Sequence, residues 1–121
     1  MTEVTIKGVI RKDGEHEIYV NGHKAFHVKK HSPTGMSWGF GGSGPADCAY
    51  TICLLLLTPA EAERRYQQFK WDFVARWPKD CAEFEVVIDW EEWLLKQRAN
   101  DNPFGLAEDP LGLKKMNEEK Q

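Results

Sequence analysis

Gly44-Pro45-Ala46-Asp47-Cys48-Ala49-Tyr50-Thr51-Ile52-Cys53-Leu54-Leu55-Leu56-Leu57-Thr58-Pro59-Ala60-Glu61 is the stretch on which the fold class turns. Pro45 fits the first helical position, where its missing N–H is no loss. From Ala46 to Leu57 the chain is apolar on nearly every face, the pattern of a helix covered on all sides. Thr58-Pro59-Ala60-Glu61 then joins a capping-box spacing to a proline in the first turn, so a second helix starts at once. Two helices in succession, with no strand between them, do not fit the strand-helix-strand alternation of a parallel α/β sheet. They point to an α+β fold.

Working outward, the second helix is expected to run to about Trp77, where Pro78 stops it. Its core face is Ala62, Tyr66, Phe69, Phe73 and Trp77; its solvent face carries Glu63, Arg64 and Lys70, and Glu61 and Arg65 stand at favourable i,i+4 spacing. Upstream, residues 3 to 30 alternate as strands do. Val4, Ile6 and Ile10 share a face, Lys12-Asp13-Gly14-Glu15 turns the chain, Ile18 and Val20 resume the alternation, and Asn21-Gly22 is a strong hairpin signal. A third strand is expected with Phe26 and Val28 turned to the core. Downstream, Glu83 to Ile88 alternates again, with Phe84, Val86 and Ile88 inward. Asp89 then caps a helix through about Arg98, with Trp90, Trp93 and Leu94 as its apolar stripe. The expected architecture is an antiparallel β-meander of three strands plus a fourth late strand, packed against two to three helices, in the order β-β-β-α-α-β-α.

Residues 1–98 read as a single α+β domain and residues 99–121 as a polar, mobile C-terminal tail. In that tail Pro103-Phe104-Gly105-Leu106 recurs as Pro110-Leu111-Gly112-Leu113, which is either chance or a tail packing back on its own domain, or else a paired docking motif for a partner. The 121 residues are 41% hydrophobic and include five tryptophans, enough for a core without metal or disulfide help. A net charge of −3 argues against sequence-independent nucleic-acid binding, which needs a basic surface. The cysteines, Cys48, Cys53 and Cys81, are odd in number, and no secretory apolar segment opens the chain, which favours a reducing, cytoplasmic setting. The longest apolar run, Cys48 to Leu57, is about half of what spans a bilayer, so no membrane partner is expected.

The segment before the first helix, His31 to Gly44, is rich in Ser, Pro, Thr and Gly, with Met36, Trp38 and Phe40 large enough to fold it against the body. Gly39-Phe40-Gly41-Gly42-Ser43-Gly44 satisfies the G-x-G-x-x-G spacing of dinucleotide sites, but a polar loop precedes it and Glu63 falls in the second of two helices, so the context refuses that reading. A phosphate loop fails too, because Pro45-Ala46 stands where Lys and Ser or Thr are required. An anion at the helix start would face Asp47, placed by this reading in the first turn. It would therefore need Lys29, Lys30 or another cation. Equally, Asp47 and Ser43 could satisfy the turn while the glycines let the chain pack closely under Trp38. His23, His27 and His31 are spaced by four, too far apart along a strand to chelate one ion easily, and are expected to be solvated. Cys48 with His31 as base is the only thinkable nucleophilic pair, and Cys48 is expected to face the core. No metal, cofactor or catalytic residue is assigned.

Ser32-Pro33-Thr34-Gly35, followed by Trp38-Gly39-Phe40-Gly41-Gly42-Ser43-Gly44-Pro45-Ala46, resembles the hallmark segment of a small prokaryotic and phage family of unknown function. Phe40 stands where that family usually has tyrosine, and Asp47-Cys48 where glutamine and an aliphatic residue are common. The resemblance implies a fold and a site location without a chemistry, and its setting suggests a mobile-element protein. The expected function is a non-enzymatic binding protein that engages a protein partner through residues 32–46, in a phage setting one that blocks a host defence complex. The alternative is a nucleotide-like or other anionic small molecule held at the same loop. The candidate binding residues are Ser32, Thr34, Trp38, Phe40, Gly41, Gly42, Ser43 and Gly44.

Overall fold

In a computed structural model that describes residues 3–101, the chain forms β1 (Glu3–Ile10), β2 (His16–Val20), β3 (His23–Ala25), α1 (Ser43–Leu56), α2 (Pro59–Asp72), a single 3-10 turn (Val74–Arg76), β4 (Glu83–Asp89) and α3 (Trp90–Asp101). The strands make one antiparallel sheet in the order β3-β2-β1-β4, and with the three helices the fold is α+β. Val4–Ile88 form one compact unit; the described residues from Asp89 onward, with Glu3, belong to a second. The tail motifs at Pro103 and Pro110 lie outside the described residues.

Local chemistry sets each turn of the meander. Asn21 and Gly22 take φ of 51° and 83° between the paired residues Val20 and His23, the left-handed pair that a two-residue hairpin of this twist requires. The Asn21 side chain also accepts from the Thr5 amide at 3.0 Å, and the Asn21 amide donates to the Thr5 carbonyl at 2.8 Å, tying the second turn to β1. In the first turn Asp13 accepts from the Glu15 amide at 3.0 Å, and Gly14 has a φ of 91°. Thr58 caps α2 by accepting from the Glu61 amide at 3.3 Å, and the Glu61 carboxylate pairs with Arg65 at 2.8 Å. Asp89 accepts from the Glu92 amide at 3.1 Å and so starts α3, in which the Trp90 and Trp93 rings stack at 5.2 Å.

The core of the larger unit joins Val4, Ile6, Ile18, Val20 and Ala25 of the sheet to Ala49, Ile52 and Cys53 of α1 and Ala62, Tyr66 and Phe69 of α2. Full burial of each large side chain among these contributes about 1.5–3 kcal/mol. Gly8 has no side chain because the Phe84 ring occupies that space: a Cβ there would stand 2.1 Å from it.

Five expectations need correction. β3 ends at Ala25, and Phe26 and Val28 are exposed, not turned to the core. The helix α1 begins at Ser43, two residues before Pro45, which places Asp47 beyond its first turn. The second helix stops at Asp72, because Phe73 leaves helical geometry at φ −128° and only the 3-10 turn follows before Trp77. Lys70 is buried at 6% exposure, its ammonium 4.3 Å from the Trp71 ring centre, instead of standing in solvent. The last helix runs to Asp101, three residues past its expected end. Among the described residues no helix is long and apolar enough to cross a membrane.

Candidate functional site

Asp47 organises the region that precedes α1. Its carboxylate is fully buried and accepts four hydrogen bonds: from His27 Nε2 at 2.8 Å and from the amides of Lys30 (3.1 Å), His31 (2.8 Å) and Ser32 (3.0 Å). One helix side chain thus takes up the backbone donors of a segment that no strand or helix satisfies, as buried amides require. Burial pushes the Asp47 carboxyl up, but the His27 bond and the three amides outweigh it, so it sits below the ordinary carboxylate range. One turn later Thr51 Oγ1 accepts from the Val28 amide at 3.0 Å. These bonds explain why β3 is short: α1 takes the chain from the sheet at residue 27, and Phe26 and Val28 lose their place in the core.

The same segment carries two histidines expected to be solvated. His27 is held against Asp47, with its side chain 17% exposed. His31 is exposed overall, yet its Nε2 lies 2.7 Å from the Tyr66 hydroxyl, with the two rings stacked. Lys30 reaches Glu63 at 2.9 Å and lies over Tyr50, so the cations weighed for an anion site are engaged elsewhere or, for Lys29, form no part of the cleft described below. Among the described residues no group of three or more His, Cys, Asp or Glu could hold a metal ion.

Each glycine of the loop from Gly39 to Gly44 is explained by what a Cβ would strike. At Gly39 it would meet Lys79 Cβ at 2.5 Å, at Gly41 the Trp71 ring at 2.2 Å, at Gly42 the Phe40 ring at 2.6 Å and at Gly44 Ser37 Oγ at 1.9 Å. Gly39 also has a φ of 89°, in the left-handed region that side chains avoid. The glycines therefore serve close packing, but against Trp71, Phe40, Lys79 and Ser37 rather than under Trp38. Trp38 itself is 1% exposed and wedged between His16 (4.7 Å) and Phe84 (5.3 Å); its Nε1 has no hydrogen-bond partner among the described residues. It is a core residue and cannot offer its ring to a partner.

A cleft of about 490 Å³ opens beside the loop. Ser32, Thr34, Phe40, Ser43 and Gly44 line it, as do Glu15, His16, Glu17, Lys24, Phe26 and His27, none of which is among the expected binding residues. Gly41 and Gly42 lie outside it, on the side of Trp71 and Phe40. Its walls are polar and already interlinked: Ser32 Oγ donates to the Gly35 carbonyl at 2.8 Å, and Glu17, pushed up by burial but lowered further by Lys24 and the Tyr19 hydroxyl, ends below its ordinary range. Gly42 gives α1 no capping side chain, which leaves the Ser43 and Gly44 amides at the cleft. Cys48 is buried and its thiol is pushed far up by that burial, while Cys53 is pushed up to about 12, so neither supplies a thiolate.

What these residues define is an α+β domain whose long connection is pinned to a helix by one carboxylate and presents a glycine-rich loop with exposed rings. The chain belongs to a family of unknown function, DUF6166, whose sequence model matches residues 4–99. No curated protein and no solved structure matches it.

Proposed function

We propose that this domain is a non-enzymatic binding module that engages a protein partner through the rings carried by and around its glycine loop. The observation that carries this reading is the exposure of Phe40 (44%) and Trp71 (53%), two rings that lie against the loop glycines Gly42 and Gly41. Exposed aromatic rings held on a rigid backbone are the side chains that most often dominate protein interfaces. The tight packing of every loop glycine fixes the rings before any partner arrives, which lowers the ordering cost of association. A host defence complex as the partner rests on the family resemblance alone.

Affinity capture from the native host with the full chain as bait tests the reading. A specific partner should be retained by the wild type and lost by Phe40→Ser with an unchanged melting temperature. Equal recovery by both proteins would refute it. Trp38→Ala is unsuitable, because it would empty the core.

A second reading, an anionic small molecule in the cleft, is favoured by the uncapped Ser43 and Gly44 amides at its wall. Nucleotides and inorganic phosphate at a hundredfold excess over the dissociation constant should then stabilise the fold by about 2.7 kcal/mol. An unchanged melting temperature would dismiss it.

A further inference from the structure

We infer that the loop surface is built for an acidic partner segment punctuated by apolar side chains. This rests on the binding reading above and names the chemistry of the partner. Three exposed rings follow one another around the loop: Phe26 (74% exposed), which lines the same cleft as Phe40, then Phe40, then Trp71 against Gly41. Each has a lysine ammonium over it, Lys24 at 5.4 Å from Phe26, Lys79 at 5.3 Å from Phe40 and Lys70 at 4.3 Å from Trp71.

These cations differ in how they are neutralised. Lys24 shares Glu17 at 3.2 Å, whereas no ion pair ties Lys70 or Lys79 to a carboxylate of the described residues. A chain with a net charge of −3 has thus placed beside the rings that flank its glycine loop two lysines with no carboxylate partner among the described residues, Lys79 exposed and Lys70 at 6% exposure. The exposed Lys79, over the Phe40 ring, leaves the opposite side of its cation open to an anion and the ring beside it open to an apolar group. A segment that alternates carboxylates with Leu or Phe meets both.

A single-stranded nucleic acid would also find rings and lysines, but it brings a charge with every nucleotide. Glu15 lines the cleft with Lys24, and in the chain Asp72 follows Lys70 by two residues and Asp80 follows Lys79 directly. A regular polyanion would be pushed off by those carboxylates, whereas a peptide carries its charge only where an ammonium waits.

The test is fluorescence anisotropy on the full chain with a fluorescein-labelled 12-residue peptide of repeating Asp-Leu-Glu-Phe. Saturable binding is expected, weakened at least tenfold by Lys79→Glu and by Lys70→Met, which keeps the buried stem, and reduced as salt rises. A Lys-Leu-Lys-Phe peptide should bind worse. The inference is overturned if the acidic peptide does not saturate, if the basic peptide or a dT12 oligonucleotide binds as tightly, or if the charge variants bind unchanged. A natural partner lost by Phe40→Ser but indifferent to Lys79→Glu would leave the binding reading standing and remove this one.

Discussion

Asp47→Asn probes the residue on which the whole site rests. Oδ2 of Asp47 accepts from His27 Nε2 and the amides of Lys30 and Ser32, and Oδ1 from the His31 amide. Asparagine keeps one of these oxygens and replaces the other by an NH2 group. With the carbonyl in the Oδ2 place, three bonds survive but lose the charge that made them strong. The fourth becomes a donor facing the His31 donor inside the protein. A stranded buried donor costs about 1–3 kcal/mol, and the step from charged to neutral acceptor costs about 1 kcal/mol per bond. The expected loss is roughly 4–6 kcal/mol, a large part of the roughly 5–15 kcal/mol that holds a typical domain. For a domain of about 100 residues, each kcal/mol lowers Tm by about 4–8 °C. Urea unfolding followed by circular dichroism gives the loss, and amide exchange at Lys30, His31 and Ser32 locates it. A variant within about 1 kcal/mol of wild type, with those amides still protected, would refute the assignment of Asp47 as the anchor.

Acid should act on the same carboxylate. Because the folded Asp47 lies below its ordinary value, its contribution is complete above about pH 4, the unfolded range, and is lost as pH falls through the lower folded value; a stability that rises below pH 4 would contradict the sign. Gly39→Ala should cost about 1–2 kcal/mol for the left-handed φ alone and more for the collision with Lys79 Cβ, while Gly14→Ala, with a similar φ and nothing within 4 Å, should cost only the first part. Equal losses in thermal melts would show that the packing at Gly39 is irrelevant. A thiol reagent at neutral pH should label Cys81 rapidly and reach Cys48 and Cys53 only as denaturant is added; fast labelling of all three, read by intact mass, would mean the α1 face is open.

Where structure is decided by neighbours in the chain, the sequence could be read. The left-handed Asn21-Gly22 turn, the Thr58 cap and the Asp89 cap are each set within three residues, and all three stand as expected. Phe26 and Val28 were misplaced for the opposite reason. Alternation continued the strand to residue 28, but the donors that leave it go to Asp47 and Thr51, 15 to 23 residues further on. No local pattern announces that competition. The glycine loop was legible as a place of close backbone approach, whereas the identity of what approaches was not. Trp71 and Lys79 come to it from segments more than 25 residues away, and Trp38, close by in sequence, turned inward. A lone aspartate in an otherwise apolar helix is the available signal that α1 has a polar client, and its nearness to the expected helix start masks that signal.

Gly41 and Trp71 make one constraint out of two positions. The absent Cβ matters only while the indole fills the space 2.2 Å away, and the indole, half exposed, owes its seat to that absence. Substitutions at the two sites should therefore fail to add: Gly41→Ala, harmful alone, becomes tolerable once Trp71 is a leucine. Across the family, sequences that part with the glycine should be those that have already parted with the tryptophan, so the pair is inherited, and lost, together.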